Sequence, residues 1–130
     1  MCLTGNFAIK LIGDESVLAA VASQPAMPFF KQGELHMSSA DIRQSRQALD
    51  SKGPMRVLRF ENDPLCTAKK SECIHQAFNA DGADRVQEIT LPGRGHSVLT
   101  LDFVDKAGHP TREALNGVID YFTRQLKPLV

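Results

Sequence analysis

Three side chains in this sequence could together carry out nucleophilic catalysis: Cys2, Asp63 and His96, in that order along the chain. A thiol attacks a carbonyl best as thiolate, an imidazole can take its proton, and a carboxylate fixes the imidazole tautomer and stabilises the imidazolium. The local setting of each fits such a role. Cys2 opens Cys2-Leu3-Thr4-Gly5, where a small residue stands two places after the nucleophile, the spacing of a sharp strand-to-helix elbow. Asp63 sits in Glu61-Asn62-Asp63-Pro64 after an apolar segment, and His96 follows the turn Pro92-Gly93-Arg94-Gly95. Each also has a plainer alternative: an incidental thiol, an Asp-Pro turn residue, and a loop histidine satisfied by backbone.

The elements that must position these residues are read from periodicity and stop signals. Over Thr4 to Ile12, apolar Phe7, Ala8, Leu11 and Ile12 recur at helical spacing, and Gly13-Asp14 ends that helix. Val17 to Ala22 is a continuous small and β-branched run, as expected of a strand buried on both faces. Pro25 to Glu34 is a loop at that strand's C-terminal end; its Phe29 and Phe30 either line a substrate pocket or fold back on the core. Ser38 and Asp41 have capping-box spacing and open a helix that runs to Lys52, with Ile42, Ala48 and Leu49 as its apolar stripe. Met55 to Phe60 is the next strand, Lys69 to Phe78 a helix with Cys73, Ile74, Ala77 and Phe78 inward, and Asp84 to Leu91 a third strand. Thr111 caps a last helix that carries Leu115, Val118, Ile119, Phe122 and Leu126 on one face.

Alternation of this kind predicts an α/β fold with about three parallel strands between helices. Ligands of open α/β sheets bind beyond the carboxyl ends of the strands, which is where Cys2, Asp63 and His96 all fall. Strands buried on both faces need neighbours on both sides. The 130 residues are therefore expected to be one partial domain, the C-terminal portion of a larger sheet whose N-terminal half is missing.

Composition narrows the function classes. Hydrophobic residues make up 42% and charged residues 23%, enough for one ordinary core. Fifteen basic and fifteen acidic residues cancel, so no general attraction to nucleic acid or to an anionic membrane is expected. No apolar run reaches the length of a membrane span and no leader pattern begins the chain, which makes a cytoplasmic location the default. Cys2, Cys66 and Cys73 are odd in number and lack paired spacing, which argues against a disulfide framework and a zinc site and for reduced thiols. His36, His75 and His109 lack partners at useful spacing and read as surface residues. Arg94, beside His96, either meets an anionic substrate or is solvated.

Cys2-Leu3-Thr4-Gly5, the segment RFENDPLC around Asp63 and PGRGHSVLTLDF around His96 together resemble the C-terminal half of the dienelactone hydrolase family, within the α/β-hydrolase fold. The resemblance covers nearly the whole chain. It implies a cysteine nucleophile at Cys2, an orienting acid at Asp63 and a general base at His96, acting on a small-molecule ester or lactone through an acyl-thiol intermediate without metal or organic cofactor. It also implies an oxyanion hole built from the Leu3 backbone N–H and a second N–H from an earlier strand-to-helix loop, which this sequence lacks. Family members proper hold the substrate carboxylate with an arginine a turn after the histidine. Here Ser97-Val98-Leu99-Thr100 offers none, so a different substrate is expected. With half the oxyanion hole absent, the chain alone is expected to be weakly active or inactive.

Two rival readings start elsewhere. Removal of Met1 would make Cys2 an N-terminal nucleophile with its own amino group as base, which predicts that Cys2 begins a strand. A non-catalytic α/β interaction fragment, or a partner-dependent half that docks with a separate chain carrying the other half, is the other; the open side of an incomplete sheet would favour strand pairing and self-association.

Overall fold

Met55-Arg56-Val57-Leu58-Arg59-Phe60 forms the centre of the molecule in a computed structural model that describes residues 1–127. This strand, β2 (Met55–Phe60), is flanked by β1 (Val21–Ser23) and β3 (Val86–Leu91), all parallel, in the order β1-β2-β3. A 3-10 turn at Cys2–Thr4 leads into α1 (Gly5–Leu11); α2 (Ser39–Lys52) joins β1 to β2, α3 (Ala68–Phe78) joins β2 to β3, and α4 (Pro110–Gln125) closes the chain. Alternate residues of β2 face opposite layers. Met55 and Val57 pack with Ile9, Ile12, Leu49, Ile74 and Phe78 from α1, α2 and α3, whereas Leu58 and Phe60 pack with Val98, Ala114 and Val118 on the α4 side. The predicted α/β class holds: three parallel strands alternate with helices, and both faces of the sheet are covered.

Several boundaries and faces differ from the sequence reading, each for a tertiary reason. The first strand is Val21–Ser23, not Val17 to Ala22. The Lys52 ammonium takes the carbonyls of Ile12, Asp14 and Val17 at 2.8, 2.6 and 2.9 Å, so the chain there caps α1 and turns before it pairs. In α1 the buried residues are Gly5, Asn6 and Ile9, while Phe7 and Leu11 lie outward at 49% and 54% exposure. Asn6 turns inward because its amide clasps the Met27 backbone, donating to its carbonyl at 2.7 Å and accepting its N–H at 3.0 Å.

In α3 the fully buried Lys70 was not foreseen. Its ammonium donates to the carbonyls of Met27, at 2.9 Å, and Glu34, fastening the loop after β1 to the helix. Asp84 and Arg85 precede β3 instead of belonging to it; the Arg85 guanidinium bridges Asp50 and Asp81 at 2.7 Å each. The last helix is capped by His109, whose Nδ1 accepts the Thr111 N–H at 3.3 Å, with Pro110 in the first turn. Thr111 is itself buried, and the buried face runs through Ala114, Val118 and Tyr121, leaving Ile119 and Leu126 exposed. The α2 capping box is as predicted: the Ser38 hydroxyl accepts the Asp41 N–H at 3.1 Å, and the Asp41 carboxylate accepts the Ser38 N–H at 2.9 Å.

Candidate active site

Cys2 has φ of 48°, in the left-handed region, which costs a residue with a Cβ about 1 kcal/mol. Its neighbours hold it there. The Cys2 carbonyl accepts the N–H of Gly5 and that of Ala26, the latter at 3.3 Å. Gly5 is where α1 meets the turn after β1: a Cβ at that position would lie 3.0 Å from both Pro25 Cα and Ser23 O. Those contacts are with backbone, which cannot swing aside as a side chain can. Gly5→Ala is therefore expected to destabilise the chain by about 1–3 kcal/mol, read as a lower urea midpoint; an unchanged midpoint would show that the contact can relax. Cys2 lies in a helical turn leading into α1, not at the start of a strand, so the arrangement predicted by the N-terminal-nucleophile reading does not occur.

Asp63 follows β2 and its side chain is fully buried. One carboxylate oxygen, Oδ1, accepts the backbone N–H groups of Leu65 and Cys66, both at 2.8 Å. The same carboxylate lies 2.9 and 2.8 Å, through Oδ1 and Oδ2, from Nδ1 of His96, which follows β3. The other ring nitrogen, Nε2, is 2.9 Å from Cys2 Sγ. The fold thus brings together three residues that lie 33 and 94 positions apart in pairs. A carboxylate is an acceptor, so it assigns the imidazole proton to Nδ1 and leaves Nε2 to take a proton from the thiol.

Asp102, unremarked in the sequence reading, holds the histidine loop. Its Oδ2 accepts the N–H groups of Ser97 at 2.8 Å and His96 at 2.9 Å, and these bonds, that from Ser97 first, hold its carboxyl below the usual range. A lowered folded-state value means that this stabilisation is present above the ordinary carboxylate range and is lost as pH falls through the lowered one. Asp102→Asn is therefore expected to lower the urea midpoint at about pH 7 and to approach wild type only as pH falls through the lowered range of this carboxyl. A pH-independent difference would assign the effect to something other than this ionisation. Close packing explains the preceding residue: a Cβ on Gly95 would fall 2.8 Å from the Phe60 ring and 3.1 Å from Asp102 Oδ2. The signal available in sequence was the Asp at short spacing after a Gly-His pair.

The remaining predicted residues fall less decisively. Leu3 is exposed, and its N–H, in the first turn of a helical segment, has no partner within that turn. Phe29 is partly exposed and Phe30 fully so, at 101%, which removes the alternative that Phe30 folds back on the core. Arg94 is exposed two residues from His96. A cavity of about 470 Å³ is lined by Phe7, Lys10, Leu35, His36, Met37, Ser38 and Asp41 and includes none of the three site residues.

Cys66 is buried beside Asp63, and burial, with the Asp63 charge second, pushes its thiol up to about 12; burial also raises Cys73. All three cysteines are free thiols, and Cys2 is the one with an imidazole nitrogen at 2.9 Å. Among the described residues no His, Cys, Asp and Glu side chains gather in a group that could hold a metal ion, and no helix is long and apolar enough to cross a membrane.

No family model matches the chain, and no curated protein matches it. Function has to be read from the site's own chemistry. A thiol within reach of an imidazole, whose far nitrogen is held by a buried carboxylate, is an arrangement able to generate a thiolate nucleophile and to return its proton to a leaving group.

Proposed function

We propose that this chain is a dienelactone-hydrolase-like cysteine hydrolase that cleaves a small-molecule ester or lactone through an acyl-thiol intermediate. The observation that carries the reading is the unbroken contact series Cys2 Sγ, His96 Nε2, His96 Nδ1 and Asp63, with every step at 2.8–2.9 Å. In this reading the Cys2 proton passes to His96 Nε2 as Sγ attacks the carbonyl carbon. The Leu3 N–H donates to the developing oxyanion, and the Asp63 carboxylate stabilises the imidazolium. Collapse of the tetrahedral species breaks the bond to the alkoxide, which leaves with the proton from Nε2. Water, deprotonated by His96, then hydrolyses the thioester and regenerates the thiol. No cofactor enters these steps. The segment Ser97-Val98-Leu99-Thr100 carries no cation, which favours an uncharged ester over a carboxylate-bearing lactone. Three free thiols suit the reducing cytoplasm.

The test is one turnover of p-nitrophenyl acetate followed by peptide mass spectrometry. One equivalent of nitrophenolate should be released with one acetyl group on the Cys2 peptide. Acetylation spread over lysines, or release unaltered when Cys2 is blocked, would reject the reading. Steady-state turnover is expected to be slow, because loss of one oxyanion donor alone costs about 10²–10³ in rate and a single donor is assigned here.

A second reading, self-association, has its own observation. Leu3, Phe7 and Leu11 recur at four-residue spacing on the outward side of the elbow and α1, each about half exposed, beside edge strand β1. Pairing with a second copy would cover this stripe. Light scattering should then give a mass that rises with concentration in wild type and stays monomeric in Phe7→Lys; a monomer at every concentration rejects it.

A further inference from the structure

Arg59 stands in the middle of the sheet, flanked in sequence by two core residues, and its side chain is only 5% exposed. Burial of a guanidinium is costly unless its N–H groups are matched. The carboxylate that approaches it, Glu88 Oε1, is 3.9 Å away, beyond hydrogen-bond distance. Its donors go instead to two backbone carbonyls: Nε to Cys66 O at 2.9 Å and Nη2 to Glu61 O at 3.0 Å. These carbonyls are the two ends of the segment Glu61-Asn62-Asp63-Pro64-Leu65-Cys66 that carries the site carboxylate.

The planar fork of one arginine therefore closes this loop at both shoulders, a geometry that a single-point donor cannot reproduce. Inside the closed loop, Asp63 Oδ1 takes the N–H groups of Leu65 and Cys66. The same loop is laced to the histidine turn: Glu61 N–H donates to Leu91 O at 2.8 Å, Asn62 N–H to Gly93 O at 3.2 Å, and Gly93 N–H to the Glu61 carboxylate at 2.8 Å.

We infer that Arg59 is a positioning residue whose guanidinium, by clasping Glu61 O and Cys66 O, keeps the Asp63 carboxylate on His96 Nδ1. Its kinetic consequence rests on the hydrolase reading; its geometric consequence does not. An imidazole N–H bonded to a buried carboxylate gives a low-field proton resonance, which reports the Asp63–His96 bond with no substrate present. In Arg59→Met, whose apolar side chain suits the buried site, that resonance is expected to broaden or vanish while circular dichroism still shows the native fold. The acylation rate constant should fall about 10–100-fold with half-saturation little changed, the scale set by an ångström-level displacement of a reacting group. Arg59→Lys, able to reach one carbonyl, should recover part of both signals.

A folded Arg59→Met with the wild-type resonance and acylation rate would overturn the inference, even if its urea midpoint fell, since that is the mark of a merely structural residue. If Arg59→Met does not fold, Arg59→Gln, which retains one donor, carries the same test with the same deciding outcomes. Should wild type show the resonance but no acylation, and Arg59→Met lose it, the positioning role stands and the hydrolase reading falls.

Discussion

Cys2→Ala is expected to abolish acyl-enzyme formation from p-nitrophenyl acetate, lowering the rate of the burst at least about 10³-fold, with no acetyl group on any other residue. The expectation follows from what the other thiols lack. Cys66 is fully enclosed and its thiol is pushed up to about 12, so it is almost wholly protonated near neutrality. Cys73 is likewise raised by burial. Neither has an imidazole within hydrogen-bond distance among the described residues, whereas Cys2 Sγ has His96 Nε2 at 2.9 Å. His96→Ala should produce a loss of the same size, and the double variant should be no worse than either single one, because in the proposed mechanism nucleophile and base act as one unit. Additive losses would show that the two residues work independently. Folding is a minor concern for Cys2→Ala: the side chain is only partly buried and its left-handed backbone strains alanine no more than cysteine.

Asp63→Asn is the second large expected effect, about 10⁴-fold in the acylation rate with the fold preserved. An asparagine carbonyl can still accept the N–H groups of Leu65 and Cys66, so the loop keeps its internal bonds. Its amide nitrogen, however, would stand at the Oδ2 position, 2.8 Å from Nδ1. A donor there favours the imidazole proton on Nε2, against the carbonyl at the Oδ1 position, 2.9 Å from Nδ1 and already accepting the two loop N–H groups. In that tautomer the nitrogen 2.9 Å from Cys2 Sγ is already protonated and cannot take the thiol proton. Asp63→Ala differs in an instructive way: it leaves both loop N–H groups without their acceptor and should also cost stability, about 1–3 kcal/mol for each buried group left unpaired. The decisive comparison is activity per folded molecule. If Asp63→Asn retained wild-type acylation, Asp63 would be a loop-closing residue and not an orienting one.

The three-residue order, the alternation of strands with helices and the α2 cap were legible because each rests on short-range rules. A capping box spans four residues, as in Ser38 and Asp41, and a strand of β-branched and other apolar residues, as in Met55, Val57, Leu58 and Phe60, stands out between turn signals even with Arg56 and Arg59 interspersed. Turn glycines beside a candidate side chain pointed to His96 and Cys2 for the same reason. Even here the local signal misled where a distant group competed. VLAAVA reads as a strand from Val17, yet Lys52, 35 residues on, takes the Val17 carbonyl and delays pairing until Val21. Of the apolar residues read for α1, Ile12 is in the core and Ala8 packs against it, whereas Phe7 and Leu11 turn outward because the inward side is also chosen by Gly5 against Pro25 and Asn6 against Met27.

What the sequence by itself determined is therefore the fold class, from local periodicity; it also offered Cys2, Asp63 and His96 as candidates, whose roles as nucleophile, acid and base it assigned only through their order and the family resemblance. The tertiary structure decided whether those residues meet, and which others hold them. Asp102 on the His96 backbone, Arg59 across the Asp63 loop and Lys70 under the loop after β1 are polar residues whose purpose lies in partners reached through the fold. For Asp102 the signal was a short spacing whose meaning appears only once its carboxylate is seen on the His96 and Ser97 N–H groups. Little in the sequence around Arg59 and Lys70 marks them out, because a buried charge is placed by the backbone carbonyls that satisfy it, and those are brought to it only by the folded loops.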